Sequence, residues 1–165
     1  VEKRGTFEQD HGEKLYRRSL YSRIRRTVAP PSMLLFDMPT REMCSVKRTS
    51  TNTPLQALAL LNEVTYVEAA KKFAERMMTK GGTPGERIAW GFRCATSRVA
   101  EKEELEILVK GYERRVERYR RDGKAAEDLL GQGESKVAAY LPKPEMAALT
   151  TVANVILNLD EVINR

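Results

Sequence analysis

"RTSTNTPLQALALLNE", residues 48–63, joins a run of small polar residues to an almost uninterrupted apolar stretch. Thr53 can cap a helix whose first turn holds Pro54, and Gln56 stands three residues after the cap, where its side chain can reach back. This spacing predicts a loop that ends in a capping box. Because "PLQALALL" is apolar almost all round, we expect this short helix to be the most buried element of the protein.

Helical periodicity dominates the rest of the chain. Apolar residues recur at spacings of three and four, which predicts amphipathic helices, and one of these runs from His11 to about Thr27. Another runs from Glu63 to about Thr79, and its predicted inward stripe comprises Val67, Ala70, Ala74, Met77 and Met78. "TPGE" at 83–86 repeats the order of cap, proline and acid, and Asn62 is a candidate cap for the helix after it. No run of alternating polarity predicts a strand. The sequence therefore predicts an all-α fold, an irregular bundle of about six helices forming a single domain over residues 1–165.

Residues 28–53 interrupt this helical pattern. Pro30, Pro31 and Pro39 make regular helix improbable across the segment. A connection of roughly 25 residues is far longer than the usual loop. We therefore predict a long, ordered, proline-containing loop that packs as a functional segment or against a partner.

Composition and charge limit the classes of protein. The 165 residues are 41% apolar and 32% charged, which favours a folded, highly charged helical protein over a disordered one. Interrupted apolar runs predict no membrane span. The net charge of +6 is concentrated near the N-terminus, where residues 1–53 carry 11 basic and 6 acidic residues. The sequence begins at Val1 without a signal pattern, so we expect it to be part of a longer protein.

Cysteine and histidine are too sparse to indicate a metal site. Cys44 and Cys94 permit at most one disulfide, and they do not fix the redox compartment. His11 is the only histidine, and a site built from these three residues would join distant segments without a close ligand pair. We predict no metal site, and we assign the cysteines structural roles.

Asp37 and Glu42 are the candidate catalytic residues, because a proline-bounded loop can hold two carboxylates near each other and near Arg41. In this interpretation they form an acid/base pair or a polar binding site. In the alternative interpretation, which we prefer, Asp37 caps a turn while Arg41 and Glu42 form ion pairs that fix the loop.

A basic patch precedes this loop. No acid stands between Lys14 and Phe36, and Tyr16 and Tyr21 lie among the basic residues, a composition that would suit phosphates and bases. No nucleic-acid-binding signature accompanies it, so nucleic-acid binding is the lesser hypothesis. The patch comprises Arg17, Arg18, Arg23, Arg25 and Arg26.

Four stretches carry a resemblance to a known family: "LYRRSLY" (15–21), "RRTVAPPSMLLFDMPTREMC" (25–44), "RTSTNTPLQALALLN" (48–62) and "NLDEVINR" (158–165). They resemble the C-terminal conserved domain of unknown function of large planctomycete and verrucomicrobial proteins, which carry a cytochrome-c-like region near the other end. The family's Phe-Asp-x-Pro-x-Arg-Glu-x-Cys pattern is matched from Phe36 to Cys44. Its Thr-Asn-Thr-Pro-Leu-Gln-Ala-Leu pattern is matched from Thr51 to Leu58. Cys94 falls where relatives commonly show Leu, which favours a packing role.

The resemblance implies an exported or periplasmic protein of several domains, with no established activity for this part. A c-type haem needs Cys-x-x-Cys-His, which is absent, so any haem would belong to an upstream portion. The leading hypothesis is a non-catalytic accessory domain whose partners are other domains of the same protein. Two alternatives stay open: an enzyme that acts on polysaccharide through a site with Asp37, Arg41 and Glu42, and a basic nucleic-acid binder. Acidic polysaccharide is a further candidate ligand of the basic patch. The predicted binding residues are Phe36, Asp37, Pro39, Arg41, Glu42, Asn52 and Gln56.

Overall fold

The structure, a computed structural model, describes residues 10–21, 29–39, 44–47 and 50–163, and all regular secondary structure in these ranges is helical. No strand occurs in these ranges, so the all-α prediction is confirmed. None of the described helices has the length and apolarity needed to cross a bilayer. The helices are α1 (Pro31–Leu35), α2 (Pro54–Asn62), α3 (Val64–Met78), α4 (Pro84–Thr96), α5 (Lys102–Arg121), α6 (Gly123–Leu130), α7 (Lys143–Leu157) and α8 (Asp160–Ile163).

The chain divides into two compact units, residues 1–56 and 57–165. The first unit contains α1 and the start of α2. The second contains the rest of α2 and all of α3 to α8. The assignment of residues 1–165 to one domain stays a prediction.

Helix α7 forms the centre of the second unit, where it packs against α3, α4, α5 and α6. Small residues allow this close packing, since Ala147, Ala148 and Ala153 are fully buried. Gly91 likewise lets α4 pack closely against α3, because a Cβ at this position would lie 2.6 Å from Met77 Cε. The predicted inward stripe of α3 is confirmed, and its buried members are Val67, Ala70, Ala74, Met77 and Met78.

Helix α2 is not the most buried element, so that prediction is wrong. Gln56 is its only buried residue, whereas Leu55 and Leu58 are 60% and 58% exposed. A helix that is apolar on every side can bury only the sides that meet other elements, and periodicity could not indicate which sides those are. Helix α7, with eight buried residues, takes that place.

The predicted N-terminal helix is also wrong where it is described. Residues 10–21 contain only two 3₁₀ turns, at Gly12–Lys14 and Ser19–Tyr21, and neither buries a residue. Gly12 has a φ of 63°, which lies outside the range of an α-helix. A short helix in water depends on the burial of an apolar face, and none is buried here. Residues 22–28 lie outside the described residues.

Both predicted capping boxes are confirmed. At α2 the Gln56 N–H donates to Thr53 Oγ1 at 3.3 Å, and the Thr53 N–H donates to Gln56 Oε1 at 2.9 Å. Thr83 and Glu86 form the same reciprocal pair at α4. The cap of α3 is Glu63 and not Asn62, whose amide instead donates to Leu58 O at 2.8 Å.

Candidate functional site

Asp37 and Thr51 connect two distant parts of the proline-containing segment in the first unit. The Thr51 N–H donates to Asp37 Oδ2 at 2.7 Å, and the Thr51 hydroxyl lies 2.9 Å from both carboxylate oxygens. Asp37 follows α1 in the left-handed backbone region, with a φ of 57°. Aspartate tolerates this region better than most residues, because its short side chain can bond locally. The Asp37 side chain therefore points from a tight turn towards Thr51.

Gln56 holds the same segment from α2. Its Nε2 donates to Leu35 O at 2.8 Å and to Thr51 Oγ1 at 3.2 Å, while its Oε1 accepts the capping bond from Thr53. The side chain is only 2% exposed. One amide thus satisfies the end of α1, the start of α2 and the Thr51 hydroxyl. We call Asp37, Thr51 and Gln56 the Asp37 clasp.

The clasp favours the charged form of Asp37. Hydrogen bonds from the Thr51 main chain, followed by those from its hydroxyl, lower the pKa of the Asp37 carboxyl below its usual 3.8. Both oxygens of the carboxylate accept bonds from Thr51, which makes protonation of the side chain less favourable. A carboxylate held in this way is a poor proton acceptor, since general bases work best with a pKa near the working pH.

The other predicted site residues separate into two groups. Phe36 ends α1, Pro39 is half-buried and Asn52 is exposed two residues before Pro54, so these lie on the same segment as the clasp. Arg41 and Glu42 lie outside the described residues, as do three members of the basic patch, Arg23, Arg25 and Arg26. Arg17 and Arg18 are exposed beside the Ser19–Tyr21 turn.

A second polar cluster, which the sequence analysis missed, lies in the second unit. Lys71 of α3 is fully buried, and its Nζ donates to Leu130 O at 3.1 Å, to Ser135 O at 2.8 Å and to Gln132 O. Glu68, also buried, accepts from the Ser135 N–H. We call Glu68, Lys71 and the main chain of residues 130–135 the Lys71 clamp.

The clamp fixes a segment that has no regular structure between α6 and α7. Gly133 has a φ of 78°, and a Cβ there would lie 2.5 Å from the Glu68 carboxylate, so only glycine fits. Burial lowers the pKa of the Lys71 ammonium, and the neighbouring Glu68 carboxylate opposes that shift. A sequence signal existed, because Lys71 falls four residues after Val67 and three before Ala74 on the inward stripe.

This segment also lines a cavity of about 550 Å³, which is within the size range of small-molecule sites. Leu130, Val137 and Leu141 supply apolar walls, and Glu127 and Lys143, also on the lining, form an ion pair of 2.8 Å. The lining of the cavity therefore combines apolar and charged side chains.

Metal-binding geometry is absent from the described ranges. No group of three or more metal-ligating side chains occurs in them. Cys44 and Cys94 are free thiols and both are exposed. The predicted packing role of Cys94 is therefore wrong: the residue lies on the outward side of α4, whereas Ile88 and Phe92 face the core.

These observations define an all-α protein in which polar clusters fix irregular segments. The sequence matches the family model PSD1, described as "Protein of unknown function (DUF1553)", over residues 1–112. The chain belongs to this family. The match includes the clasp and the motifs of residues 15–62, whereas "NLDEVINR" lies beyond it. No curated protein and no solved structure matches the chain.

Proposed function

We propose that this chain is a non-catalytic, helical interaction domain of a larger, exported, cytochrome-c-associated protein of several domains. Its partners in this proposal are other domains of the same polypeptide. The family's unknown function is compatible with that role. The single observation that carries the proposal is that Asp37, Thr51 and Gln56, which lie in the motifs that resemble the family, bond to one another as a structural clasp.

The chemistry of the clasp supports a role without catalysis. Asp37 accepts its bonds from Thr51 of the same chain, and the side-chain amide of Gln56 forms hydrogen bonds with Leu35, Thr51 and Thr53. Groups that are already satisfied and ionised stabilise a shape well but transfer protons poorly. Such a clasp suits a surface whose geometry must be maintained.

The exposed apolar residues of the second unit supply a surface for contact. Leu58 is 58% exposed, Leu61 40% and Val64 43%, and they lie within seven consecutive residues at the end of α2 and the start of α3. Exposed apolar side chains that are concentrated in this way commonly mark protein contacts. We call these three residues the Leu58 surface.

Photo-cross-linking in the full-length protein tests the proposal. A photoreactive phenylalanine analogue replaces Leu58, and the matched control replaces Ile107 of α5, which is 70% exposed. We expect position 58 to cross-link to segments of the same polypeptide outside residues 1–165, and position 107 to give no such product. The products are identified by mass spectrometry.

Two results would contradict the proposal. The first is the absence of any cross-link from position 58 to segments beyond the chain when the analogue is fully incorporated. The second is the loss of a measured enzymatic activity of the purified full-length protein on Asp37→Asn without any change in its melting temperature. The second result would favour a catalytic role for the loop.

A further inference from the structure

Trp90 of α4 lies beneath two cations from the end of α3. The Arg76 guanidinium carbon is 5.9 Å from the indole centroid, and Lys80 Nζ is 5.2 Å from it. Phe73 packs beside the same indole, with its ring centroid at 6.3 Å. Both distances to the cations are within the range of cation–π attraction. The aromatic ring therefore holds two positive charges in defined positions; we call Arg76, Lys80 and Trp90 the Trp90 cluster.

The two cations have no acidic partner within the described parts of the chain. Ion pairs of the second unit form elsewhere, for example between Lys72 and Glu75 at 2.7 Å and between Arg98 and Glu104 at 2.7 Å. Both Arg76 and Lys80 are exposed. Their N–H groups are consequently directed by the indole and available to an external anion.

The neighbouring acids are already engaged within the fold. Residues 64–96, which form α3, α4 and their connection, contain six basic and three acidic residues. Glu68 accepts from Ser135, Glu75 from Lys72 and Ala138, and Glu86 from Thr83. The excess positive charge of the α3–α4 hairpin is therefore not neutralised locally, and it creates a field that attracts anions.

We propose that the Trp90 cluster binds an acidic segment of polypeptide through paired carboxylates. Arginine offers a planar fork that accommodates a carboxylate in two parallel bonds, and Lys80 adds a point charge above the same ring. Carboxylates at positions i and i+4 of a partner helix are neighbours, so one such pair can meet both cations. This site is independent of the Leu58 surface.

The arrangement favours carboxylates over nucleic-acid bases. A base binds such platforms by stacking on a free aromatic face. Here the cations lie over the indole, so a base would have to displace them first. A carboxylate requires only the outward N–H groups, and it leaves both cation–π contacts in place.

Intrinsic fluorescence tests the proposal directly, because Trp90 is the only tryptophan in the chain. The 165-residue chain is titrated with a helical peptide that carries Glu at every fourth position. We expect a saturable change in emission that weakens at high salt. The same peptide with Gln at those positions should give no saturable change.

Matched variants locate the site. The double variant Arg76→Gln/Lys80→Gln should weaken binding about fivefold, as expected from the loss of two exposed ion pairs. Lys124→Gln, which removes one exposed charge from α6, should change the affinity less than twofold. Circular dichroism checks that the helices are retained, and Lys80→Gln alone, at an exposed position after α3, replaces the double variant if that one does not fold.

Three outcomes would overturn the proposal. The first is equal emission changes with the Glu and Gln peptides. The second is unchanged affinity in the folded variants. The third is saturable binding of a single-stranded oligonucleotide that is tighter than peptide binding and is abolished by the same substitutions, which would assign the site to nucleic acid.

Discussion

The Asp37 clasp and the Lys71 clamp have the same structural role in different surroundings. Each fixes a segment without regular structure by hydrogen bonds from charged and polar side chains. The Asp37–Thr51 contact is exposed to solvent, whereas Lys71 is fully buried. Burying a charge has a large desolvation cost. We therefore expect the loss of a hydrogen bond in the clamp to lower the free energy of unfolding more than the loss of one in the clasp.

The direction of the pKa shifts expresses this difference. The pKa values of both Asp37 and Lys71 are lowered. For the acid, the hydrogen bonds from Thr51 favour the charged form. For the lysine, burial disfavours the charged form, and the neighbouring Glu68 carboxylate offsets only part of that penalty. The charge of Asp37 therefore stabilises the clasp. In the clamp, burial disfavours the charge of Lys71, although that ammonium makes the hydrogen bonds that fix the segment.

Replacement of Lys71 should produce the largest effect on stability. Lys71→Met retains most of the buried stem but removes the ammonium, which leaves three carbonyls without their donor and Glu68 without its neighbouring cation. We expect the free energy of unfolding of the second unit to fall by about 3–5 kcal/mol. Urea unfolding followed by Trp90 emission measures it.

Lys72 is the matched control, because it is adjacent, also donates to a main-chain carbonyl, and is 44% exposed in its side chain. Lys72→Met should cost no more than about 1 kcal/mol. Equal losses for the two variants would mean that burial does not distinguish the clamp from an exposed contact.

Truncation of Gln56 should have the next largest effect, and it should act within the first unit. Gln56→Ala removes the bonds to Leu35, Thr51 and Thr53 from a buried position. We expect the free energy of local opening, measured by exchange of the Thr51 and Thr53 amides, to fall by about 1–3 kcal/mol.

Gln132→Ala provides the control for this loss, since Gln132 is exposed. Its substitution should leave exchange at Thr51 unchanged. If Gln56→Ala also leaves it unchanged, Asp37 alone holds the segment and the clasp is smaller than described.

Titration of Asp37 should produce the smallest effect. A lowered pKa means that the contribution of this carboxylate is complete above its unfolded value of 3.8 and is lost as pH falls through the folded value. The Thr51 amide signal in NMR spectra should therefore titrate with a midpoint below 3.8. The transition should be absent in Asp37→Asn, and a wild-type midpoint at or above 3.8 would refute the charged clasp.

Local rules predicted much of the helical structure. The Thr53–Gln56 and Thr83–Glu86 boxes depend on residues three apart, and the inward stripe of α3 depends on spacing alone. The same rules failed where an element had no unique face. Helix α2 is apolar all round, so its periodicity could not predict that Leu58 is exposed.

The candidate sites were predicted less completely. Asp37 and Gln56 were recognised, yet their common partner Thr51 is 14 residues from Asp37, and no spacing rule joins them. Lys71 was overlooked because a lysine among apolar positions is usually solvated. Its burial depends on the carbonyls of residues 130–135, about 60 positions away, together with the Glu68 carboxylate.

The sequence by itself determined the helices and their caps, because propensity, periodicity and capping act over three or four neighbouring residues. Tertiary structure alone decided which apolar residues are covered, and it brought Asp37 to Thr51 and Lys71 to the segment before α7. Those outcomes depend on contacts between distant positions, whose free energies arise from desolvation and hydrogen bonding after the chain has packed.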